Sequence, residues 1–232
     1  MYGKLLNSGQ TCIAPDYVLI DKARQDDFIQ ELKVAAQTQF SNPEALTGPI
    51  DDAQLARWLH LVGDATERGA QAIRLLNSDT QGSRNFEPVV LLNVPRDAEV
   101  LQEEVFGPIL PIICTSDIAS AITYVNSKPK PLALYWFGKE KSNMNRVLNE
   151  TRSGGVTIND TLLHATVEGL PFGGVGASGM GTYHGKAGFD AFSHRKSILE
   201  VLGLFGLNVL RGTKLARPPY GSKIERLLHW MR

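Results

Sequence analysis

Two cysteines in 232 residues, Cys12 and Cys114, are too few for a disulfide framework, so the chain is expected in a reducing compartment, the cytoplasm. Net charge is lacking too. The 24 basic and 24 acidic side chains cancel and no basic stripe stands out, which removes the electrostatic footprint of a nucleic-acid binder. Long apolar runs are also missing. The most apolar segment, 198–210, contains Glu200 and Asn208 and is too short to span a bilayer, so no membrane span is expected. The opening Met1-Tyr2-Gly3-Lys4-Leu5-Leu6-Asn7 lacks the charged-then-apolar order of a secretory signal. Histidines at 60, 164, 184, 194 and 229 have no metal-ligand spacing with cysteine or carboxylate, so no metal site is expected. What remains is ordinary globular material, 43% hydrophobic and 21% charged, enough for one large domain or two small ones.

The apolar pattern reads as alternating strands and helices. Tyr17-Val18-Leu19-Ile20 is a buried strand, and Asp21 can cap the helix after it. That helix covers 22–40, with Phe28, Ile29, Leu32, Ala36 and Phe40 on one face, and it is stopped by Pro43 and Gly48-Pro49. A second helix covers 51–68, with Leu55, Trp58, Leu59 and Val62 facing inward and Gly69 beyond its end. Strands follow at 72–76, 88–92 and 109–114; Thr115 and Ser116 can cap a helix running to Val125. A strand at 132–137, a helix at 142–151 and a strand at 156–158 complete the alternation. This predicts an α/β fold, a mostly parallel sheet with helices on both faces. Residues 165–188 are glycine-rich and aperiodic, the mark of a functional loop. An apolar stretch resumes at 192–210, and a basic tail, 211–232, carries Pro218-Pro219 and a short amphipathic helix at 223–230.

Two stretches bear on chemistry. Gly174-Val175-Gly176-Ala177-Ser178-Gly179 spells the dinucleotide fingerprint, but no strand precedes it and no helix opens from it, so it reads as a surface loop. In Asn7-Ser8-Gly9-Gln10-Thr11-Cys12-Ile13-Ala14 the cysteine is either a nucleophile or a small buried hydrophobe. The amides of Asn7 and Gln10 are costly to bury unpaired, and they suit a tight turn where a reacting oxygen meets donors. A cysteine hydrolase would need a histidine base near the thiol, with His164 or His184 as the candidates. The adjacent Glu103 and Glu104 lead into Val105-Phe106-Gly107-Pro108, a turn at a strand entrance where a carboxylate and an aromatic ring could hold a polar ligand edge and an apolar face.

Taken together, Asn7-x-Gly9-Gln10-x-Cys12, Glu104-x-Phe106-Gly107-Pro108, Asn159, Pro171-Phe172-Gly173-Gly174 and Ser178-Gly179-Met180-Gly181 resemble the ordered motifs of the aldehyde dehydrogenase superfamily. Gly48-Pro49-Ile50, Ser153-Gly154-Gly155-Val156 and Tyr183-His184-Gly185 resemble its class 3 branch of fatty, aromatic and coniferyl aldehyde dehydrogenases. The resemblance runs to about Ile198; beyond it only Arg217-Pro218-Pro219-Tyr220 is loosely similar. It implies an enzyme that oxidises an aldehyde to a carboxylic acid with NAD or NADP. Cys12 would be the nucleophile, Glu104 and Phe106 would hold the nicotinamide ribose and ring, and Asn7, Gln10, Asn159 and Phe172 would support or line the substrate pocket.

In the family the general-base glutamate, the oxyanion-hole asparagine and the dinucleotide-binding half precede the cysteine motif, whereas eleven residues precede Cys12 here. The chain therefore resembles the C-terminal half, with a catalytic domain at 1–191 and an oligomerisation segment and tail at 192–232. That half is expected to be inactive alone, although the family's subunits pair as homodimers through C-terminal strands. The alternatives are a non-catalytic remnant that keeps only assembly contacts, and the cysteine hydrolase.

Overall fold

The structure, a computed structural model, describes residues 1–40, 46–76, 86–198, 203–204, 207–208, 218 and 221–230. They fall into two compact units, Met1–Phe192 and Ser193–Arg232. The first opens with a short helix α1 (Tyr2–Leu5) and then runs β1 (Val18–Asp21), α2 (Gln25–Gln39), α3 (Asp52–Glu67), β2 (Gln71–Arg74), β3 (Val89–Leu92), β4 (Ile109–Thr115), α4 (Ile118–Asn126), β5 (Ala133–Trp136), α5 (Lys141–Glu150), β6 (Gly155–Ile158) and α6 (Gly185–Ala191).

The main sheet has the order β1-β4-β3-β2. β4 is parallel to β1 and to β3, while β2 lies antiparallel on the edge. Every residue of β3 is buried, as expected of a strand covered on both faces. Alternation divides its side chains between two cores. Val90 and Leu92, with Leu110 and Ile112 of β4, pack with Ile29, Leu32 and Ala36 of α2. Val89 and Leu91, with Ile109, pack with Trp58, Leu61 and Ala65 of α3. Fully burying a side chain of this size contributes about 1.5–3 kcal/mol, so these two layers hold the sheet between α2 and α3. The expected mixed α/β fold with a mostly parallel sheet is the observed one.

Several local expectations need correction. Leu59 is 58% exposed; α3 instead turns Trp58, Leu61 and Ala65 inward, with Leu55 and Val62 at the margin. The cap of α4 is Asp117, in a reciprocal capping box with Ser120, and neither Thr115 nor Ser116. Thr115 is still in the strand, and Asp117 is the residue standing at the N-cap position, from which its carboxylate accepts the Ser120 N–H. The strands β5 and β6 pair in parallel with each other and, among the described residues, stand as a separate two-stranded sheet. Asp21 does cap as expected, its carboxylate accepting from Ala23 N–H ahead of α2. Pro43 and most of the loop joining β2 to β3 lie outside the described residues.

In the second unit β7 (Gly203–Leu204) pairs antiparallel with β8 (Leu207–Asn208), and α7 (Ser222–Trp230) exposes Leu228 and Trp230. The expected apolar stretch 192–210 lies partly, and the stretch Arg211 to Arg217 wholly, outside the described residues. Among the described residues no helix is long and apolar enough to cross a membrane.

Candidate active site

Asn7, Ser8 and Gly9 are three successive residues in the left-handed region, with φ of 51°, 52° and 73°. L-residues pay roughly 1–2 kcal/mol each to sit there, asparagine less, so the conformation must be held from outside. The Ser8 hydroxyl donates to Thr47 O. The Gln10 side chain accepts from Ile50 N–H at 2.9 Å and donates to Gly48 O at 3.1 Å and to Asn7 O at 3.2 Å. Asn7 Nδ2 returns a bond to Gln10 O at 3.1 Å. The Gln10 amide is therefore wholly engaged with backbone, and the Asn7 amide gives one N–H to the loop.

Position 9 needs glycine twice over. Its φ is +73°, and a Cβ there would lie 2.3 Å from Gly107 O. At Gly107, in turn, a Cβ would lie 2.1 Å from the Trp58 indole nitrogen. Backbone is thus laid on backbone, and the cysteine loop rests directly on the Glu104–Pro108 turn. Cys12 follows at the tip of a tight turn closed by Ala14 N–H to Thr11 O at 2.9 Å. Cys12 is exposed and unpaired, which removes the buried-hydrophobe reading. The next residue, Ile13, is buried and its carbonyl accepts from Tyr135 Oη at 2.6 Å. Burial pushes the Tyr135 hydroxyl up to about 12, and the neighbouring Cys12 adds to the rise. No described group takes up the Cys12 N–H.

The Glu104–Phe106 turn is clamped along its backbone. Arg57 donates to Val105 O at 2.8 Å and to Glu104 O. Gln54 and Trp58 donate to Phe106 O at 2.8 and 3.2 Å. Phe106 is held at φ 42°, a strained conformation for a bulky residue and one that such clamps can sustain. Val105 points wholly inward, and Glu104 and Phe106 are exposed on either side of it. A carboxylate beside an aromatic face on a rigid ledge fits a ribose diol and a flat heteroaromatic ring. Partial burial raises the Glu104 pKa; Asp16 adds to the rise, and Arg57 and Lys4 oppose it.

Lys4 and Asp16 were not singled out in the sequence. Lys4 is 4% exposed, and burial drives its pKa down to about 8 against the pull of Asp16 and Glu104. Asp16 is pushed up by burial, while the Val105 N–H, Lys4 and Arg57 pull it down. The only available sequence signal was a lysine between apolar residues in Gly3-Lys4-Leu5-Leu6.

Phe172 is linked to the cysteine loop through aromatic contacts: Tyr135, which donates to Ile13 O, has its ring centroid 6.0 Å from that of His164, and His164 lies 6.0 Å from Phe172. Asn159 has φ 58° and its Oδ1 accepts from Gly138 N–H at 2.9 Å, tying the ends of β5 and β6 together. Phe172 bridges to Tyr183 and stacks on His184, with ring centroids 5.7 Å apart. His164 is buried, its Nδ1 2.8 Å from Thr157 Oγ1, and burial lowers its pKa. Its Nε2 and the His184 Nδ1 are buried without partners. Among the described residues neither histidine is hydrogen-bonded to Cys12. The Gly174–Gly179 segment closes on itself through a Gly176–Gly179 bridge, and the next helix opens only at Gly185, which is not the strand-loop-helix of a dinucleotide site. Among the described residues no cluster of side chains could hold a metal.

Residues 1–198 match the aldehyde dehydrogenase family. The chain is 44% identical over 232 residues to a probable coniferyl aldehyde dehydrogenase of Pseudomonas aeruginosa, covering 98% of this chain and 47% of that protein. It is 42% identical over 218 residues to rat aldehyde dehydrogenase family 3 member A2, covering 94% and 44%. To the mouse dimeric NADP-preferring aldehyde dehydrogenase it is 38% identical over 229 residues, covering 97% and 48%. Among solved structures, the substrate-bound AldH of Staphylococcus aureus superposes with a TM-score of 0.79 at 35% identity, over 100% of this chain and 49% of that one. The chain spans about half the length of the relatives it matches, and it belongs to the aldehyde dehydrogenase family.

Proposed function

We propose, from that membership, that Cys12 is the nucleophile in the oxidation of an aldehyde to a carboxylic acid with NAD or NADP. The observation that carries this reading is the placement of an exposed thiol on a strained loop whose backbone lies against the Glu104–Phe106 ledge. The Cys12 thiolate attacks the carbonyl carbon, a C–S bond forms, and the carbonyl π electrons move onto oxygen. The untaken Cys12 N–H is available to that oxyanion. Bound with its nicotinamide on Glu104 and Phe106, the coenzyme supplies the two-electron acceptor for the hydride that leaves the thiohemiacetal. A thioester remains on Cys12 for water to cleave. Cysteine suits both halves, being nucleophilic near neutral pH and forming an ester that hydrolyses.

On this reading Asn7 and Gln10 act by fixing the loop, Asn159 by fixing the β5–β6 end, and Phe172 by lining the approach. The family resemblance assigns the deacylating base to sequence ahead of the cysteine motif. Residues 1–232 by themselves are therefore proposed to acylate at Cys12 without turning over. Coniferyl aldehyde, named for the Pseudomonas relative, is the first substrate to try, with a long-chain aldehyde second. Residues 1–191 form the catalytic portion and residues 192–232 the pairing segment of a homodimer, for which the β7–β8 hairpin supplies strand edges.

The test is stoichiometric acylation by p-nitrophenyl acetate, read as a burst of p-nitrophenol and by intact mass. One acetyl per chain is expected, lost in Cys12→Ser. An equal burst in that variant would end the nucleophile assignment, and steady NADH production by residues 1–232 would end the claim that they do not turn over.

A further inference from the structure

The ledge formed by Glu104, Val105 and Phe106 is held by a set of hydrogen bonds that differ in origin. Its carbonyls are taken by Arg57, Gln54 and Trp58, all from α3. Its one amide bond goes elsewhere. Val105 N–H donates to Asp16 Oδ1 at 2.9 Å across 89 residues of sequence. Asp16 lies four residues past Cys12, on the segment that carries the thiol into β1. Among the described residues it makes the only hydrogen bond between that segment and the ledge.

The peptide plane joining Glu104 to Val105 is therefore gripped at both ends. Arg57 holds its carbonyl and Asp16 holds its N–H. A peptide plane fixed in this way resists rotation about ψ of Glu104 and φ of Val105, and with Arg57 on Val105 O and Gln54 and Trp58 on Phe106 O holding the next two planes, the run that carries Glu104 and sustains the Phe106 φ of 42° is held plane by plane. Lys4 completes the arrangement. It is buried, and its ammonium opposes the rise that burial gives to the Asp16 and Glu104 carboxyls.

We propose that Asp16 is a positioning residue for coenzyme: its bond to Val105 N–H sets the Glu104–Phe106 ledge in register with Cys12, so that a nicotinamide ring and ribose lie within reach of the thiol. This rests on the reading that Glu104 and Phe106 hold the nicotinamide half of the coenzyme, and the test separates the two.

The probe is nicotinamide mononucleotide, which presents the ring and its ribose without the adenine half, titrated into the 232-residue chain by calorimetry or ligand-observed NMR. Asp16→Ala is expected to weaken binding about tenfold or more, the usual consequence of losing a charge-assisted bond. Asp16→Asn keeps an acceptor at the same reach and is expected to stay within about threefold of wild type. Hydrogen exchange at the Val105 amide should quicken in Asp16→Ala and remain protected in Asp16→Asn, which a general loss of stability would not reproduce. If Asp16→Ala fails to fold, Asp16→Gln displaces the acceptor by one methylene and gives the same comparison. Wild-type affinity in Asp16→Ala or Asp16→Gln, with Phe106→Ala binding lost, would overturn the positioning role and leave the ledge reading intact. Absence of binding by wild type, or equal binding by Phe106→Ala and Glu104→Ala, would overturn the ledge reading itself and the positioning role with it.

Discussion

Lys4→Met should make the protein more stable at neutral pH, although it removes a charge from between two carboxylates. The lysine is 4% exposed, and its pKa falls from 10.5 to about 8 with burial as the largest cause, even after the attraction of Asp16 and Glu104 is included. At about 1.4 kcal/mol per pKa unit, keeping the ammonium charged in the fold costs about 3 kcal/mol relative to the unfolded chain. The sign follows from proton binding. Below pH 8 both states are protonated and the whole cost is present. Between about 8 and 10.5 the unfolded chain holds the proton and the folded one does not, so stability rises with pH; above 10.5 the difference is gone. Methionine has similar length and no charge, so the variant should gain about 3 kcal/mol at pH 7 in urea denaturation followed by tryptophan fluorescence. In a unit of this size that is roughly 6–12 °C in melting temperature. The gap between variant and wild type should then close steadily from pH 8 to 10.5. A variant less stable than wild type at pH 7, or a gap that does not change with pH, would refute the reasoning. The position would then be one where ion pairing outweighs desolvation.

Gly9→Ala meets both a left-handed φ and the Gly107 carbonyl, and should lose at least about 2 kcal/mol in the same denaturation. Its thiol should also alkylate with iodoacetamide at a rate different from wild type, since the cysteine loop cannot keep its place. His164 is held neutral by burial, so its C–H resonances should titrate below the ordinary imidazole value. Its share of the stability is complete above pH 6.5 and is lost as pH falls toward the lowered folded value; His164→Gln should flatten that limb of the acid-denaturation curve. Asp117→Ala removes the carboxylate half of the α4 capping box, leaving the residue-117 N–H on Ser120 Oγ, and should cost about 1 kcal/mol, readable as a lower urea midpoint at unchanged m-value.

What could be read from the residues alone was whatever depends on short-range pattern. The alternation of strands and helices follows from periodicities that the residues carry locally, so most strands lie within two residues of their expected places, whereas α2 opens three residues late, after a 3-10 turn, and α6 rises partly from the segment read as an aperiodic loop. Cys12, Glu104 and Phe106 were legible as motif words. Their proximity was not, because Gly9 against Gly107 and Asp16 against Val105 are contacts across about ninety residues, and no local preference encodes them. Leu59 shows the limit of a helical face drawn by eye. It lies at the expected spacing from Leu55, yet Leu61 and Ala65 take the core and leave it in solvent. Asp117 shows another, since where a strand stops decides which of three polar residues becomes the cap. The Gln10 amide is engaged with backbone at Asn7, Gly48 and Ile50, partners that no local pattern around it announces.

The three left-handed residues ahead of Cys12 have a bearing on the order of assembly. Asn7 and Gly9 tolerate that region and bond locally through Gln10, but the remaining supports arrive from Thr47, Gly48 and Ile50, some forty residues later, and from Gly107, nearly a hundred later. Contacts so distant in sequence carry a loop-closure cost, as does the pairing of β1 with β4. The segment ahead of Cys12 therefore takes its native shape only once the chain around Thr47 to Ile50 and Gly107 has come into place. A second thiol, Cys114, sits in the strand that pairs with β1. Both thiols are exposed, so recovery of the native cysteine loop from denaturant should depend on reductant until those distant supports are made.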